Sequence, residues 1–168
     1  MKLRNIQPAD DAALAGIIRA SLERHHLALP GTAYFDPELD HLSRFYGASA
    51  RRAYFVVIDE TGRVLGGCGI AEYVGNSQYA ELQKLYLDEA AQGQGLGYEL
   101  IEKVYDFARQ QGYEKLYLET HHALAAAVHM YERAGFQRLA GSIPGSQHGS
   151  MDIFFSRDIQ AADRQKNG

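Results

Sequence analysis

The sequence predicts an α/β fold of the α+β kind: a mixed, mostly antiparallel seven-stranded sheet with a central parallel pair, flanked by about four helices. Three observations carry this. β-rich runs and helically spaced apolar runs follow one another in the order β-α-α-β-β-β-α-β-α-β-β. The segment Glu60-Thr61-Gly62-Arg63 has hairpin chemistry, which makes the strands on either side antiparallel. A strand through Leu87, a glycine-rich turn, a long amphipathic helix and the strand-like Lys115–Glu119 together imply a right-handed parallel crossover.

The elements follow in order. Lys2–Ile6 reads as a short first strand. Pro8 and Asp10-Asp11 start a helix carrying Leu14, Ile17, Ile18 and Leu22 at helical spacing. His25–Tyr34 is loop-like, punctuated by Pro30-Gly31. Asp36-Pro37 reads as an N-cap with proline at the first helical position, and Leu39, Leu42, Phe45 and Tyr46 give that second helix an apolar face, ended by Gly47. Ala53–Asp59 and Val64–Tyr73 are strands; Gly66, Gly67 and Gly69 in the second mark a bulge or a surface approached closely. Gly75-Asn76-Ser77 turns the chain into the fourth strand, Ala80–Leu87. The helix Leu96–Gln111 carries Leu96, Leu100, Ile101, Val104, Phe107 and Ala108, with Gly112 as its C-terminal cap. After the fifth strand, Ala123–Ala134 is an alanine-rich helix ended by Gly135. Phe136–Leu139 and Met151–Asp158 complete the sheet, joined by the glycine- and serine-rich loop Ile143–Ser150.

Composition narrows the function classes. A chain of 168 residues suits one domain, expected over residues 1–160 with a polar tail at 161–168. The net charge of -4 argues against general nucleic-acid binding, which favours a basic face. No apolar run reaches the roughly 18 residues that span a bilayer. Met1-Lys2-Leu3-Arg4-Asn5 lacks the apolar core of a secretion signal, and one cysteine, Cys68, cannot form an internal disulfide; both point to a reducing cytoplasm.

The chemistry centres on Gln92-Gly93-Gln94-Gly95-Leu96-Gly97. Three glycines in five residues leave backbone N–H groups unshielded, and the helix that begins there adds the positive end of its dipole. A phosphate or pyrophosphate is stabilised there without a lysine. The spacing departs from the dinucleotide pattern Gly-x-Gly-x-x-Gly, and no Gly-Lys-Ser/Thr follows.

At this point the sequence resembles the GNAT superfamily of acetyl-CoA-dependent N-acyltransferases. The family signature Gln/Arg-x-x-Gly-x-Gly/Ala is matched by Gln92, Gly95 and Gly97. A second feature, a tyrosine four residues before a Gly-Phe pair, is matched by Tyr131-Glu132-Arg133-Ala134-Gly135-Phe136, and the element order matches nearly throughout. One departure stands out: many members carry asparagine seven residues before the tyrosine, where this chain has Leu124.

The resemblance implies acetyl transfer from acetyl-CoA to a primary amine of a small molecule or peptide, by direct attack in a ternary complex. Gln92, Gly93, Gln94, Gly95, Leu96 and Gly97 would hold the pyrophosphate, and the backbone of Leu85, Tyr86 and Leu87 would pair with the pantetheine arm. Tyr131 is the expected general acid, since a phenol near pKa 10 can protonate a thiolate of comparable basicity; the same residue also reads as core. Glu81 is the expected general base, acting through water, with Glu72 the alternative. Glu119 is a third carboxylate that also reads as a structural acceptor. The acceptor pocket, between the first two helices and the last hairpin, has Tyr34, Tyr73, His121 and His148 as further candidates, each also readable as an ordinary surface or half-buried residue. No metal is expected: His25-His26 and His121-His122 are adjacent pairs, and no His-Glu-x-x-His motif occurs. Cys68, in a glycine-rich strand without an identified histidine, reads as a small buried residue. A homodimer through the last strands is compatible with the resemblance. The rival readings are a non-catalytic acyl-CoA sensor of the same fold and a nucleotide-binding enzyme.

Overall fold

The structure is a computed structural model that describes residues 1–146 and 148–160. The expected polar tail at 161–168 lies outside the described residues. Seven strands form one sheet: β1 (Lys2–Asn5), β2 (Ala53–Ile58), β3 (Val64–Tyr73), β4 (Asn76–Leu87), β5 (Lys115–Thr120), β6 (Gln137–Arg138) and β7 (Ile153–Asp158). The order across the sheet is β1-β2-β3-β4-β5-β7-β6. Every neighbouring pair is antiparallel except β4 and β5, which run parallel.

Four α-helices flank the sheet: α1 (Asp11–Arg24), α2 (Leu42–Gly47), α3 (Leu96–Gln110) and α4 (Ala125–Arg133). The alternation of β2 shows how the sheet separates two cores. Tyr54 and Val56 pack with Leu14, Ile18 and Leu22 of α1 and Tyr46 of α2. Phe55 and Val57 face the other way, with Leu100, Ile101 and Val104 of α3 and Tyr131 of α4. Both faces of this strand are buried, so it reads as a continuous apolar run.

Element bounds depart from the sequence reading in places, while the β3 glycines meet it. The fourth strand starts at Asn76, not Ala80, so Asn76 and Ser77 of the expected turn already belong to β4. The second helix does not start at Asp36-Pro37. A 3-10 turn, Leu39–His41, comes first, and α2 begins at Leu42. The Asp36 carboxylate is drawn away by Lys84 and His148 and caps nothing. The close approach expected at the β3 glycines is made by the chain itself: a Cβ on Gly66 would stand 2.1 Å from the Tyr86 carbonyl oxygen, and one on Gly69 2.6 Å from the Tyr46 ring. Finally, β7 begins at Ile153 and not at Met151; the Asp152 N–H still donates to the Thr120 carbonyl of β5, and its carboxylate accepts from the His122 N–H.

The sheet carries an irregularity at its centre. Gly69 pairs with Gln83 and Gly67 with Tyr86, so two residues of β3 span three of β4. The extra residue is a β-bulge at Lys84, whose φ is +50°. Before it, Ala80 and Leu82 face the α3–α4 core; after it, Leu85 and Leu87 do. The bulge thus slips the side-chain phase by one. The parallel pairing of β4 with β5 has already stopped at Glu81↔Tyr117. Beyond that point the facing edges of the two strands diverge, and their inner backbone groups are left without a strand partner.

Candidate active site

The opening between β4 and β5 has one side built from backbone and one built from side chains. The backbone side starts where β4 ends. Asp88 caps a 3-10 turn, Glu89–Ala91, through the Ala90 N–H. Gln92 then reaches back to the Leu87 carbonyl at 3.2 Å, and Gln94 to the Ala90 carbonyl at 2.9 Å. These two side chains pin the turn, while the N–H groups of Ala90, Ala91 and Gln92 are satisfied by Asp88 and Glu89 within it. Gly93 and Gly95 have φ of +76° and +77°, a region only glycine enters freely, and nothing lies within 4 Å of where their Cβ atoms would stand. Gly95 is the N-cap of α3, whose first intrahelical bond runs from the Glu99 N–H to the Gly95 carbonyl. The N–H groups of Leu96, Gly97 and Tyr98 therefore have no partner within the helix. Gly97 serves packing instead: a Cβ there would meet Met130 Sδ at 2.4 Å, so its small size lets α4 pack against α3.

Tyr131 projects from α4 into the core beside this turn. It is 5% exposed, its ring packed edge-on to Phe136 and tilted against Phe155. Burial pushes its phenol well above the ordinary value, so it is a protonated donor at neutral pH. It is not sealed in: among the described residues, Arg51 Nε is the one side-chain polar atom both buried and without a partner. Cys68 is fully buried nearby, its thiol pushed up by burial and held as a thiol.

The side-chain half lies on the other face. A cavity of about 280 Å³ is lined by Asp36, Glu38, Glu72, Tyr73, Glu81 and His148, among others. A smaller one of about 40 Å³ adjoins it and shares Glu81, Gln83, Lys84 and His148, with Glu119 added. Glu81 accepts a hydrogen bond from Gln83 Nε2 at 2.7 Å. Burial raises its carboxyl, and the Glu119 charge adds to that, against the Gln83 hydrogen bond and the positive charges of Lys84 and of His148 when protonated. Glu72 has the opposite environment. Arg52 clasps it through Nε and a terminal nitrogen, and this holds its carboxyl below the usual range. Tyr73 donates to the Ile143 carbonyl at 3.1 Å, and burial raises its phenol to about 12. Glu119 accepts from the Tyr117 hydroxyl at 2.7 Å and the Ser146 hydroxyl at 2.8 Å.

Asp36 joins these groups. Burial alone would raise its carboxyl; the hydrogen bond from His148 and the charge of Lys84 outweigh that and lower it. Lys84 Nζ lies 2.7 Å from Asp36 and 3.3 Å from Glu38, with its side chain only 3% exposed. A buried lysine without such partners would not stay charged. The sequence reads Asp36 only as a helix cap and gives no role to Lys84, Gln83 or Arg52. The signal for Lys84 was present: Leu82, Leu85 and Leu87 cannot share one face of a regular strand, so a residue between them must be bulged.

Of the acceptor-side candidates, Glu72, Tyr73 and His148 line the larger cavity and Glu119 the smaller one. Two stand apart. Tyr34 turns its hydroxyl to Glu23 at 2.6 Å and lines neither cavity. His121 shapes the entry to α4, its Nδ1 accepting from the Ala123 N–H at 3.0 Å, and stacks on His122. The chain does bring His121, His122 and Asp152 together, with potential ligand atoms within 4.8 Å of one another. Part of this trio is already engaged: Asp152 binds His122 through both backbone and ring, while His121 Nε2 lies 3.8 Å from Asp152, beyond hydrogen-bond reach.

Among the described residues, no helix is long and apolar enough to cross a membrane. The described residues 14–136 match the acetyltransferase (GNAT) family. The chain is 35% identical over 159 residues to the uncharacterized N-acetyltransferase YjgM of Escherichia coli K12, an alignment covering 94% of each protein. Its fold is similar to that of a GNAT-family acetyltransferase from Staphylococcus aureus Mu50, with a TM-score of 0.84 at 18% identity, covering 95% of this chain and 99% of that one. It also resembles a GNAT superfamily phosphinothricin acetyltransferase from Sinorhizobium meliloti in complex with acetyl-CoA, with a TM-score of 0.73 at 20% identity, covering 97% and 94% of the two chains. Family match, near-full-length relative and seven-stranded sheet agree: the chain belongs to the GNAT family of acetyltransferases.

Proposed function

We propose that this protein transfers an acetyl group from acetyl-CoA to a primary amine of a small molecule or peptide, by direct attack while both are bound. The observation that carries the reading is the opening between β4 and β5, which has an unpaired strand edge and a glycine turn on one side and a carboxylate-lined cavity on the other. The fit to acetyl-CoA rests on chemistry in the chain. The turn offers open space at Gly93 and Gly95 and unpartnered N–H groups at the start of α3, which suits a pyrophosphate. The freed edge of Leu85, Tyr86 and Leu87 suits an extended amide-bearing arm that adds like a strand.

In this reading the residues divide the work. Backbone N–H groups near the bulge polarise the thioester carbonyl. Glu81, its basicity raised by burial, takes a proton from the amine through water. Tyr131 gives its proton to the departing sulfur; the burial that raises the phenol also makes a naked thiolate beside it costly. Glu81 suits the base better than Glu72, because the Arg52 clasp holds Glu72 as a weakly basic carboxylate. Residues 1–160 act as one domain, since both halves of the opening rest on one sheet.

The test is release of free thiol from acetyl-CoA across a panel of amines, antibiotics and peptides, beside calorimetry with acetyl-CoA and NAD. Turnover with at least one amine class is expected. Tight acetyl-CoA binding with no acetylated amine would instead make the protein a sensor, and tighter binding of NAD would sink the reading altogether.

A further inference from the structure

His148 reaches both cavities from the loop between β6 and β7. Its Nε2 lies 3.0 and 3.1 Å from the two carboxylate oxygens of Asp36. Lys84, seated at 2.7 Å, keeps that carboxylate ionised. An ionised carboxylate accepts only, so Nε2 carries the proton that Asp36 binds, and in the neutral ring Nδ1 is left as a free base. The two residues lie 112 positions apart in sequence, and each is mostly buried, with side chains 22% and 15% exposed. The arrangement is a carboxylate-oriented imidazole beside Glu81.

We propose that His148, oriented by Asp36 and Lys84, is a second proton acceptor for the amine and carries away the proton that the reaction releases. The inference rests on the acetyl-transfer reading above. An acceptor arriving as an ammonium has three protons on nitrogen, and the amide product keeps one. As the N–C bond forms and the C–S bond breaks, one of the two lost protons balances the sulfur, which becomes a thiol. The other must leave the site. Glu81 holds one proton at a time, so it cannot serve both. His148 Nδ1 takes the first proton and frees the amine lone pair; Glu81 takes the second; Tyr131, whose own proton has gone to sulfur, regains one through water, so one proton is released in all. The charged groups that line the two cavities with His148 are Asp36 and Glu38 before α2, Arg52 before β2, Glu72 from β3, Glu81 and Lys84 from β4, and Glu119 from β5. Five carboxylates against one ammonium and one guanidinium stabilise the transient imidazolium. The smaller cavity, of about 40 Å³, has space and polar partners for a water between Glu81 and His148.

The experiment follows thiol release from acetyl-CoA with spermidine, lysine amide and an alanine-initiated tetrapeptide, from pH 5.5 to 9. It compares the wild type with His148→Gln, His148→Ala and Asp36→Asn. His148→Gln, whose amide still reaches Asp36, should lose kcat by about 10²-fold, with the KM for acetyl-CoA held within about twofold. The acid limb of kcat/KM should move, Asp36→Asn should move it partway, and added imidazole should restore His148→Ala by at least about tenfold. A wild type that turns over while His148→Gln keeps its rate and acid limb overturns this proposal and leaves acetyl transfer standing. So does a folded, acetyl-CoA-binding His148→Ala that imidazole does not restore. A wild type inert toward these three probes and toward the whole panel of amines, antibiotics and peptides removes both readings.

Discussion

The two sides of the β4–β5 opening are made in different ways. The donor side is local and made of backbone: residues 85 to 97 run without interruption from strand through glycine turn to helix, and only Tyr131 comes from elsewhere. The acceptor side is made of side chains from the segment before α2, the end of β3, the middle of β4, the end of β5 and the β6–β7 loop. In the proposed reaction the donor side would work through N–H groups whose direction is set by φ and ψ and whose charge does not change with pH. The acceptor side works through groups that titrate and whose basicity each neighbour alters. A shared donor thus calls for a repeated backbone pattern, whereas a particular acceptor is recognised by a dispersed set of side chains.

The largest expected effect falls on the donor side. Gly95→Glu forces a side chain into a φ of +77° and sets a negative charge where phosphate would sit. Acetyl-CoA affinity should drop by at least about 10²-fold by calorimetry. An unchanged affinity would break the donor half of the comparison. Next comes the residue that bridges the halves. Tyr131→Phe should lower kcat by about 10²-fold and leave acetyl-CoA affinity within about twofold, because only the proton is removed. A matching loss in affinity would make Tyr131 a packing residue instead.

The pH response sharpens the contrast at smaller amplitude. The folded His148 has a raised pKa, chiefly through its hydrogen bond to Asp36. Its contribution to holding the loop is therefore complete below the ordinary histidine value of about 6.5 and is lost as pH rises through the raised value. Asp36 is depressed, so its contribution is present above the ordinary value of about 3.9 and is lost only as pH falls through the lower one. After correction for intrinsic rates, the amides of Ser150 and Met151 should exchange on the order of tenfold faster above the raised His148 value. Acetyl-CoA binding should stay nearly flat from pH 6 to 8. A parallel rise and fall would show that the two sides are coupled. The smallest effect is expected at Tyr34: Tyr34→Phe should leave the thermal midpoint and kcat/KM nearly unchanged, since its hydroxyl serves only Glu23 at an exposed site. A clear loss in kcat/KM would place the acceptor path over this side of the molecule.

How much was legible in the sequence follows the same division. The glycine turn, the amphipathic face of α3, the β2–β3 hairpin and the Tyr131–Phe136 run could all be read, because each is a pattern among residues close in the chain. Asp36 was misread for the same reason: Asp-Pro is a good helix start by local chemistry, and the lysine and histidine that claim its carboxylate lie 48 and 112 residues away. Glu81 and Glu72 looked alike as strand carboxylates; burial beside Gln83 and the Arg52 clasp separate them.

The sequence by itself therefore determined the seven-stranded mixed sheet, the parallel crossover and the glycine turn that opens α3. Hydrophobic period, turn residues and glycine φ are properties of short stretches, and the backbone obeys them wherever the stretch is placed. Only the tertiary structure decided which carboxylate is basic, that Lys84 bulges inward to hold Asp36, and that His148 stands beside Glu81. Those are consequences of burial and of charges meeting across the fold, and the energies that set them depend on neighbours that chain proximity does not supply.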